Sequence, residues 1–374
     1  MKFPGLRVLL AAHSMKELTG SEIHCLQLGS YFASQGANVT FLALEQGNPM
    51  TSEIEKLGSR VIGPSEVGKE NYDLVWTHHD TIFAWVHAIL RTRAKRHIHG
   101  LLSMQQKIER VPPIPYPLTQ DTLRLVANSL ETRDIAARRS HRDDIDIMPN
   151  FIPTAFLEKV RLDLPEKLEN LAIVSNHPPA ELLNLVPIME EMGVKVTIFG
   201  HGYRYIPIDH ETLISFDTVV TIGKTVQYCL AQSIPVFIYD RFGGPGFIDV
   251  EGFRKHEDSN FSGRSDPRRR NAQDLAKEIV DGYANAAEQA IILRQKNAGR
   301  FAIDRCVDDV IGTFGQSRLP TLTVTEQIST LFKYTILRPK VLVRAIAPRL
   351  VRQLTQASDR LSADTIARLK KPRN

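Results

Sequence analysis

The 374-residue chain is poor in cysteine: Cys25, Cys229 and Cys306 stand far apart without paired spacing, so neither a disulfide framework nor a zinc-ligand pattern is present. A zinc site is not expected, and a reducing, cytoplasmic setting is. Long apolar runs are also missing. The stretch Met1 to Ala12 is too short to span a bilayer, and no small-residue cleavage site clearly follows it, so it reads as a first buried strand. The glycine fingerprint of a dinucleotide site does not follow that strand, which argues against a nicotinamide oxidoreductase, and Thr218 stands where a Walker loop needs its first glycine. Serine-hydrolase elbows and metal-ligand helices are absent. No stretch is of low complexity, and 43% hydrophobic with 24% charged residues is the balance of a folded protein.

A net charge of +5 is mild and unevenly placed. Residues 331–374 carry eleven Lys or Arg against Asp359 and Asp364, a net of +9, which leaves the first 330 residues at −4. No nucleic-acid partner is expected. The segment Leu350, Leu354, Ala357 and Leu361 repeats at helical spacing among basic residues. Such a helix suits an anionic membrane surface, which would place the protein peripherally on the inner face of the membrane. Packing back onto the body is the alternative.

At this length two cores are expected. Leu6 to Ala12 is a continuous apolar strand, a helix runs from about Gly20 to Gln35 and stops at Gly36, and Asn38 to Leu44 is a second strand. Further strands read at 72–77, 96–99, 125–128 and 146–148, with Ser129 as a helix N-cap. The charged, proline-punctuated stretch 153–170 is the expected linker. From Leu171 the pattern restarts: strand, helix 180–192, strand 195–199, strand 218–221, helix 224–232, strand 235–239, joined by short connections that demand parallel crossovers. The expected organisation is α/β, with one doubly wound Rossmann-like domain at 1–152, a second at 171–315 and a basic helical tail at 316–374.

In open α/β sheets ligands bind beyond the carboxyl ends of the strands, so the loops leaving those ends matter. Gly20 opens a helix whose free amides can receive an anion or a sugar hydroxyl, although helix starts routinely look like this. The strand ends carrying His78, His79 and Asp80, then His97 and His99, gather groups able to hold or move a proton. Ordinary polar strand termini explain each single histidine equally well. Gly223, Lys224 and Thr225 follow a buried strand and begin a helix, which presents amides and a cation to a phosphate. Past the next strand, Asp240 and Arg241 precede Gly243, Gly244 and Gly246, where backbone can approach a ligand closely.

This layout resembles the GT-B glycosyltransferases, and in detail the glycogen-synthase-like (glycosyltransferase family 4/1) bacterial polysaccharide enzymes. The Thr-Gly-Ser-Glu turn with Gly36, Ser129 with Met148-Pro149-Asn150, Gly223, Ala231 to Pro235 and Gly243-Gly244 carry the likeness, over about residues 6 to 315. His99 falls where that family has a histidine beside the transferred sugar. The resemblance implies a nucleotide-sugar donor on the second domain, against Ser175, Gly200, Lys224, Thr225 and the glycine segment. It implies a glycan or lipid-linked acceptor on the first, against Gly20, His79 and His99, and no metal. The chain departs from the pattern where the family's two glutamates would stand, at Val220 and Tyr228, and its Arg and Lys are replaced by Asn176, His177 and Pro178. Arg241 or Arg264 would then join Lys224 as phosphate cations. An inverting route needs a base, for which His99 or Asp80 is the candidate; a retaining route needs only leaving-group stabilisation. A sugar-nucleotide epimerase or hydrolase, and a binding or scaffold protein without catalysis, remain the alternatives.

Overall fold

The computed structural model describes residues 1–67, 71–89, 93–103, 105, 109–112 and 122–312. In the first half, β1 (Arg7–Met15), β2 (Asn38–Gln46), β3 (Val61–Ile62), β4 (Asn71–His78), β5 (Arg93–Leu101), β6 (Leu123–Ala127) and β7 (Ile145–Ile147) form one sheet in the order β3-β2-β1-β4-β5-β6-β7. Every pairing is parallel. Burial on both faces is what permits this. Leu10 with Phe32, Phe41 and Trp76 fills one side of the sheet, and Leu9 with Leu42 and Val75 the other, as alternation along β1 dictates. Helices α1 (Gly20–Ser34), α2 (Met50–Lys56), α3 (Asp80–Ala84) and α4 (Leu130–Ser140) lie between the strands in sequence. The expected N-cap is formed: Ser129 Oγ accepts from Thr132 N at 3.2 Å.

The second half builds β8 (Asn170–Val174), β9 (Lys195–Phe199), β10 (Thr218–Thr221), β11 (Val236–Asp240) and β12 (Gly243–Phe247) in the order β12-β11-β10-β8-β9. All pairings are parallel except that of β12, which runs antiparallel to β11. Its helices are α5 (Thr154–Glu158), α6 (Ala180–Glu191), α7 (His210–Ile214), α8 (Lys224–Gln232), α9 (Phe253–Asp258) and α10 (Ala272–Asn297). The architecture is therefore α/β with two doubly wound Rossmann-like sheets, the GT-B arrangement.

The boundary between the halves differs from the expected linker at 153–170. Thr154–Glu158 is helical, and Phe156 lies in the second core, stacked on Tyr228 with ring centroids 4.3 Å apart. Leu168 belongs to the same domain's other apolar cluster. The chain also returns. Ile152 bridges to Ala302, with Ile152 N donating to Phe301 O at 2.7 Å and Ile303 N to Ile152 O at 3.1 Å. Beyond that bridge, α11 (Ile303–Gly312) puts Ile303, Cys306, Val307 and Val310 into the first domain's core beside Cys25 and Leu28 of α1. The last helix of the stretch 171–315 thus serves the first half. The basic tail at 316–374 lies outside the described residues. Among the described residues no helix is long and apolar enough to cross a membrane.

Candidate functional site

Each sheet has one place where its strand order reverses: between β1 and β4 in the first, between β8 and β10 in the second. At such a point successive connections leave in opposite directions, and a crevice opens beyond the strand ends. The two crevices border one cleft, with a volume of about 470 Å³. The first domain contributes Leu18 and Gly20 after β1, Leu102, Ser103 and Glu109 after β5, and Asn128 after β6. From the second come Ser175 after β8, Gly200 after β9, Gly223 to Thr225 after β10, and Asp240 with Arg241 after β11.

On the second-domain wall, backbone geometry is set by contacts within the protein. Gly200 has φ +145°, and a Cβ there would meet Ser175 O at 1.9 Å, so only glycine lets the β8 and β9 ends close up into the cleft floor. Gly223 (φ +64°) gives its N–H to Phe261 O at 3.0 Å, and the first-turn amides of Lys224 and Thr225 then have no carbonyl one turn back to reach. The Asp240 carboxylate accepts from Arg241 N at 2.7 Å and from Ser175 Oγ at 3.2 Å, and burial raises its pKa.

The Lys224 ammonium departs from expectation. Its backbone is on the cleft, but Nζ is enclosed, sits 4.0 Å from the centroid of the Phe151 ring, and has no hydrogen-bond partner. Burial lowers its pKa to about 7, partly offset by the neighbouring Cys25 and Cys306 thiols. Arg264 is likewise committed elsewhere, forming a two-pronged ion pair with Glu131 of the first domain. Among the described residues that line the cleft, Arg241 is the exposed cation, its guanidinium 4.8 Å from the Phe242 ring.

Gly243, Gly244 and Gly246 do not line the cleft. They form β12, whose pairing with β11 carries one extra residue between Gly246 and Gly243. A Cβ on Gly244 would meet Ile238 O at 1.9 Å, one on Gly243 would meet Arg268 O at 2.4 Å, and one on Gly246 would meet Glu278 Oε1 at 2.5 Å. Close approach of backbone requires glycine at 243 and 244, and the left-handed φ of +94° favours it at 246, but the neighbour is protein.

On the other wall, Gly20 has open space where a Cβ would be. Thr19 Oγ1 donates to Glu22, so a carboxylate already occupies this helix start, and a neutral hydroxyl fits it better than a phosphate. His99 and Asp80 do not reach the cleft. His99 is wholly buried, with Nδ1 2.8 Å from Thr77 Oγ1 and its ring edge-on to Phe83 at 5.0 Å. Burial drives its pKa well below the ordinary histidine value. The cause is strand alternation: it turns His97 and His99 onto the one sheet face that Phe83 and His87 cover. Asp80, 2% exposed, starts the short α3 behind the strand end. What sequence reasoning missed is Glu109, 7% exposed and on the cleft, with Oε1 3.6 Å from His79 Nε2. Nothing in the run Lys107-Ile108-Glu109-Arg110 marks it out, because its partner, His79, comes from the turn after β4.

Besides the Arg264–Glu131 pair, hydrogen bonds among the described residues tie the two walls together. Gln27 Nε2 donates to Tyr228 OH at 2.6 Å, Leu18 N donates to Tyr205 OH at 2.6 Å, and Tyr205 OH donates to Glu17 Oε2 at 3.2 Å. Tyr228, standing where the resemblance would place a glutamate, therefore ties the second domain to α1. Among the described residues no group of three or more His, Cys, Asp or Glu is placed to hold a metal ion.

No family model and no curated protein matches the chain. Among solved structures, a glycosyltransferase from Rickettsia africae ESF-5 superposes with a TM-score of 0.51 at 12% identity, over 82% of this chain and 97% of that one. The spinosyn rhamnosyltransferase SpnG gives 0.48 at 12% identity, over 82% and 100%. MurG of Acinetobacter baumannii gives 0.46 at 13% identity, over 83% and 100%. At such identities the first of these likenesses bears on the fold, and the fold it supports is GT-B.

Proposed function

We propose that the protein is a glycosyltransferase, moving a hexose-type sugar from a nucleoside diphosphate sugar to a hydroxyl of a glycan or lipid-linked acceptor. The observation that carries this reading is the meeting of two switch-point crevices across one cleft, with helix-start amides on one wall and proton-accepting groups on both. The donor lies on the second domain. Asp240, braced by Ser175, accepts from a ribose diol. The amides of Lys224 and Thr225 receive the diphosphate, and Arg241 adds charge at the rim. Helix amides and Arg241 stand in for a metal in stabilising the leaving group. The Rickettsia africae glycosyltransferase, whose fold matches over 82% of this chain, supports the same activity.

The test is thermal shift with UDP, GDP and CMP, followed by product analysis with the corresponding nucleotide sugars. Stabilisation with release of sugar is expected. Stabilisation without release would instead favour a binding or scaffold protein, recovery of an altered nucleotide sugar would favour an epimerase, and no stabilisation by any nucleotide would sink the enzymatic reading. The basic tail completes the proposal: residues 331–374 hold the protein peripherally on an anionic membrane face, where a lipid-linked acceptor resides. The full chain should sediment with acidic liposomes at low salt, and a chain ending at residue 330 should not; failure of the full chain to sediment removes the membrane from the reading.

A further inference from the structure

The geometry points to Glu109 as the group that takes the acceptor's proton, with His79 as the residue that positions it, an assignment that rests on the glycosyl-transfer reading above. Glu109 reaches the cleft from the first-domain wall, opposite the donor strands, which is where an attacking hydroxyl must stand. Both its oxygens are steered from behind. Oε2 accepts from Leu102 N at 3.3 Å, and the Leu102 carbonyl is fixed in turn by Asn128 Nδ2 at 2.6 Å. Oε1 faces His79 Nε2 at 3.6 Å, an electrostatic contact a few tenths of an ångström longer than a hydrogen bond.

His79 is arranged for this. It follows β4 at the switch point, and the backbone N–H of His13, just across the crevice, donates to its Nδ1 at 3.2 Å. A ring nitrogen that accepts a hydrogen bond carries no proton, so the neutral imidazole has its proton on Nε2, aimed at the carboxylate. The residue holds φ +73° and ψ 138°, a backbone conformation that side chains other than glycine rarely adopt, and it is only 5% exposed. Strain of this kind persists where the surroundings impose it, and it collects at working sites. A carboxylate with one imidazole N–H and one amide N–H still has lone pairs free toward the cleft.

The step balances without a further reagent. The acceptor oxygen bonds to the anomeric carbon as the bond from that carbon to the donor's β-phosphate oxygen breaks. The bonding pair leaves on the nucleoside diphosphate, and the acceptor's proton passes to Glu109, which later releases it to water. Attack from the wall opposite the leaving group inverts the anomeric centre.

The experiment uses the full chain as wild type, Glu109→Gln, His79→Ala and His79→Gln. It measures UDP and GDP binding by calorimetry, sugar release from UDP-glucose and GDP-mannose, and the anomer first released by NMR. Expected are inversion, a fall in kcat of about 10²- to 10⁴-fold for E109Q, and nucleotide dissociation constants within twofold of wild type. H79A should lose kcat at unchanged KM, and H79Q, which keeps an N–H in place, should recover most of it. E109Q turning over at the wild-type rate, or a retained anomer, overturns the assignment while nucleotide binding leaves the transfer reading standing. Loss of nucleotide binding in E109Q makes Glu109 a donor contact and equally overturns it. Wild-type rates in H79A, or equal loss in H79A and H79Q, overturn the positioning role. A wild type that binds neither nucleotide and releases no sugar overturns the transfer reading itself.

Discussion

Lys224 shows how a residue on a binding wall can work inward. Its ammonium is enclosed over Phe151, without a hydrogen-bond acceptor, in the first domain's core among Cys25, His24 and His78. A buried charge lacking partners destabilises, which is why its pKa falls from 10.5 to about 7. Between those values the folded chain binds fewer protons than the unfolded one at this site, so its destabilising contribution shrinks as pH rises through that window. Lys224→Met, similar in volume and uncharged, should raise stability by about 1–3 kcal/mol at pH 7. The gain should narrow toward pH 10, read from denaturant midpoints at both values. Nucleoside diphosphate affinity should change less than threefold in the variant. A loss of tenfold or more would show that the ammonium turns out to meet the phosphate.

At the scale of elements, β4, β5 and the helical turn Trp85–Ile89 between them carry an unusual load of enclosed imidazoles. Burial takes His78 from 6.5 to about 3 and His97 to about 4, and pushes His87 and His99 well down. Depressed values mean that the unfolded chain takes up protons first, so stability falls as pH drops from 6.5 toward 4. Urea midpoints at pH 7.5, 5.5 and 4.5 should fall in that order, and histidine ring signals titrating near 6.5 for these residues would contradict the enclosure. These strands also show what was legible in the sequence. The β1 turn, Gly20, Ser175, Gly200 and Gly223 to Thr225 were placed on the cleft because strand, turn and helix start are written in adjacent residues. At Gly243 to Gly246 local sequence shows that backbone must come close to something, but not to what. The sequence does not reveal the enclosure of His99, because a strand residue's face depends on which helix covers it, nor does it mark Glu109, whose contact is with His79, thirty positions away in sequence.

For the whole molecule, the two domains are joined by more than a covalent link. Arg264 pairs with Glu131, Asn150 Nδ2 donates to Asn260 Oδ1 at 2.8 Å, and α11 inserts into the first domain's core. That packing makes a distant segment part of the first sheet's stability. Val307, fully buried against α1, should when changed to Ala cost about 2 kcal/mol. Amide exchange should quicken in β1 and β2 while β8 and β10 keep their protection. Equal loosening of both sheets would mean that the chain unfolds as a single unit.

The return of α11 also bears on how the protein comes off the ribosome. The first sheet can assemble its strands once β7 has emerged, yet Leu28 and Cys25 of α1 stay uncovered until residues 303–312 have been made. That wait covers the synthesis of the entire second domain, on the order of ten seconds at about 5–20 residues per second. During it the nascent first half presents an apolar groove that fits one later segment of its own chain, so the order of folding here is not the order of synthesis, and the groove is where a chaperone would be expected to hold the growing chain.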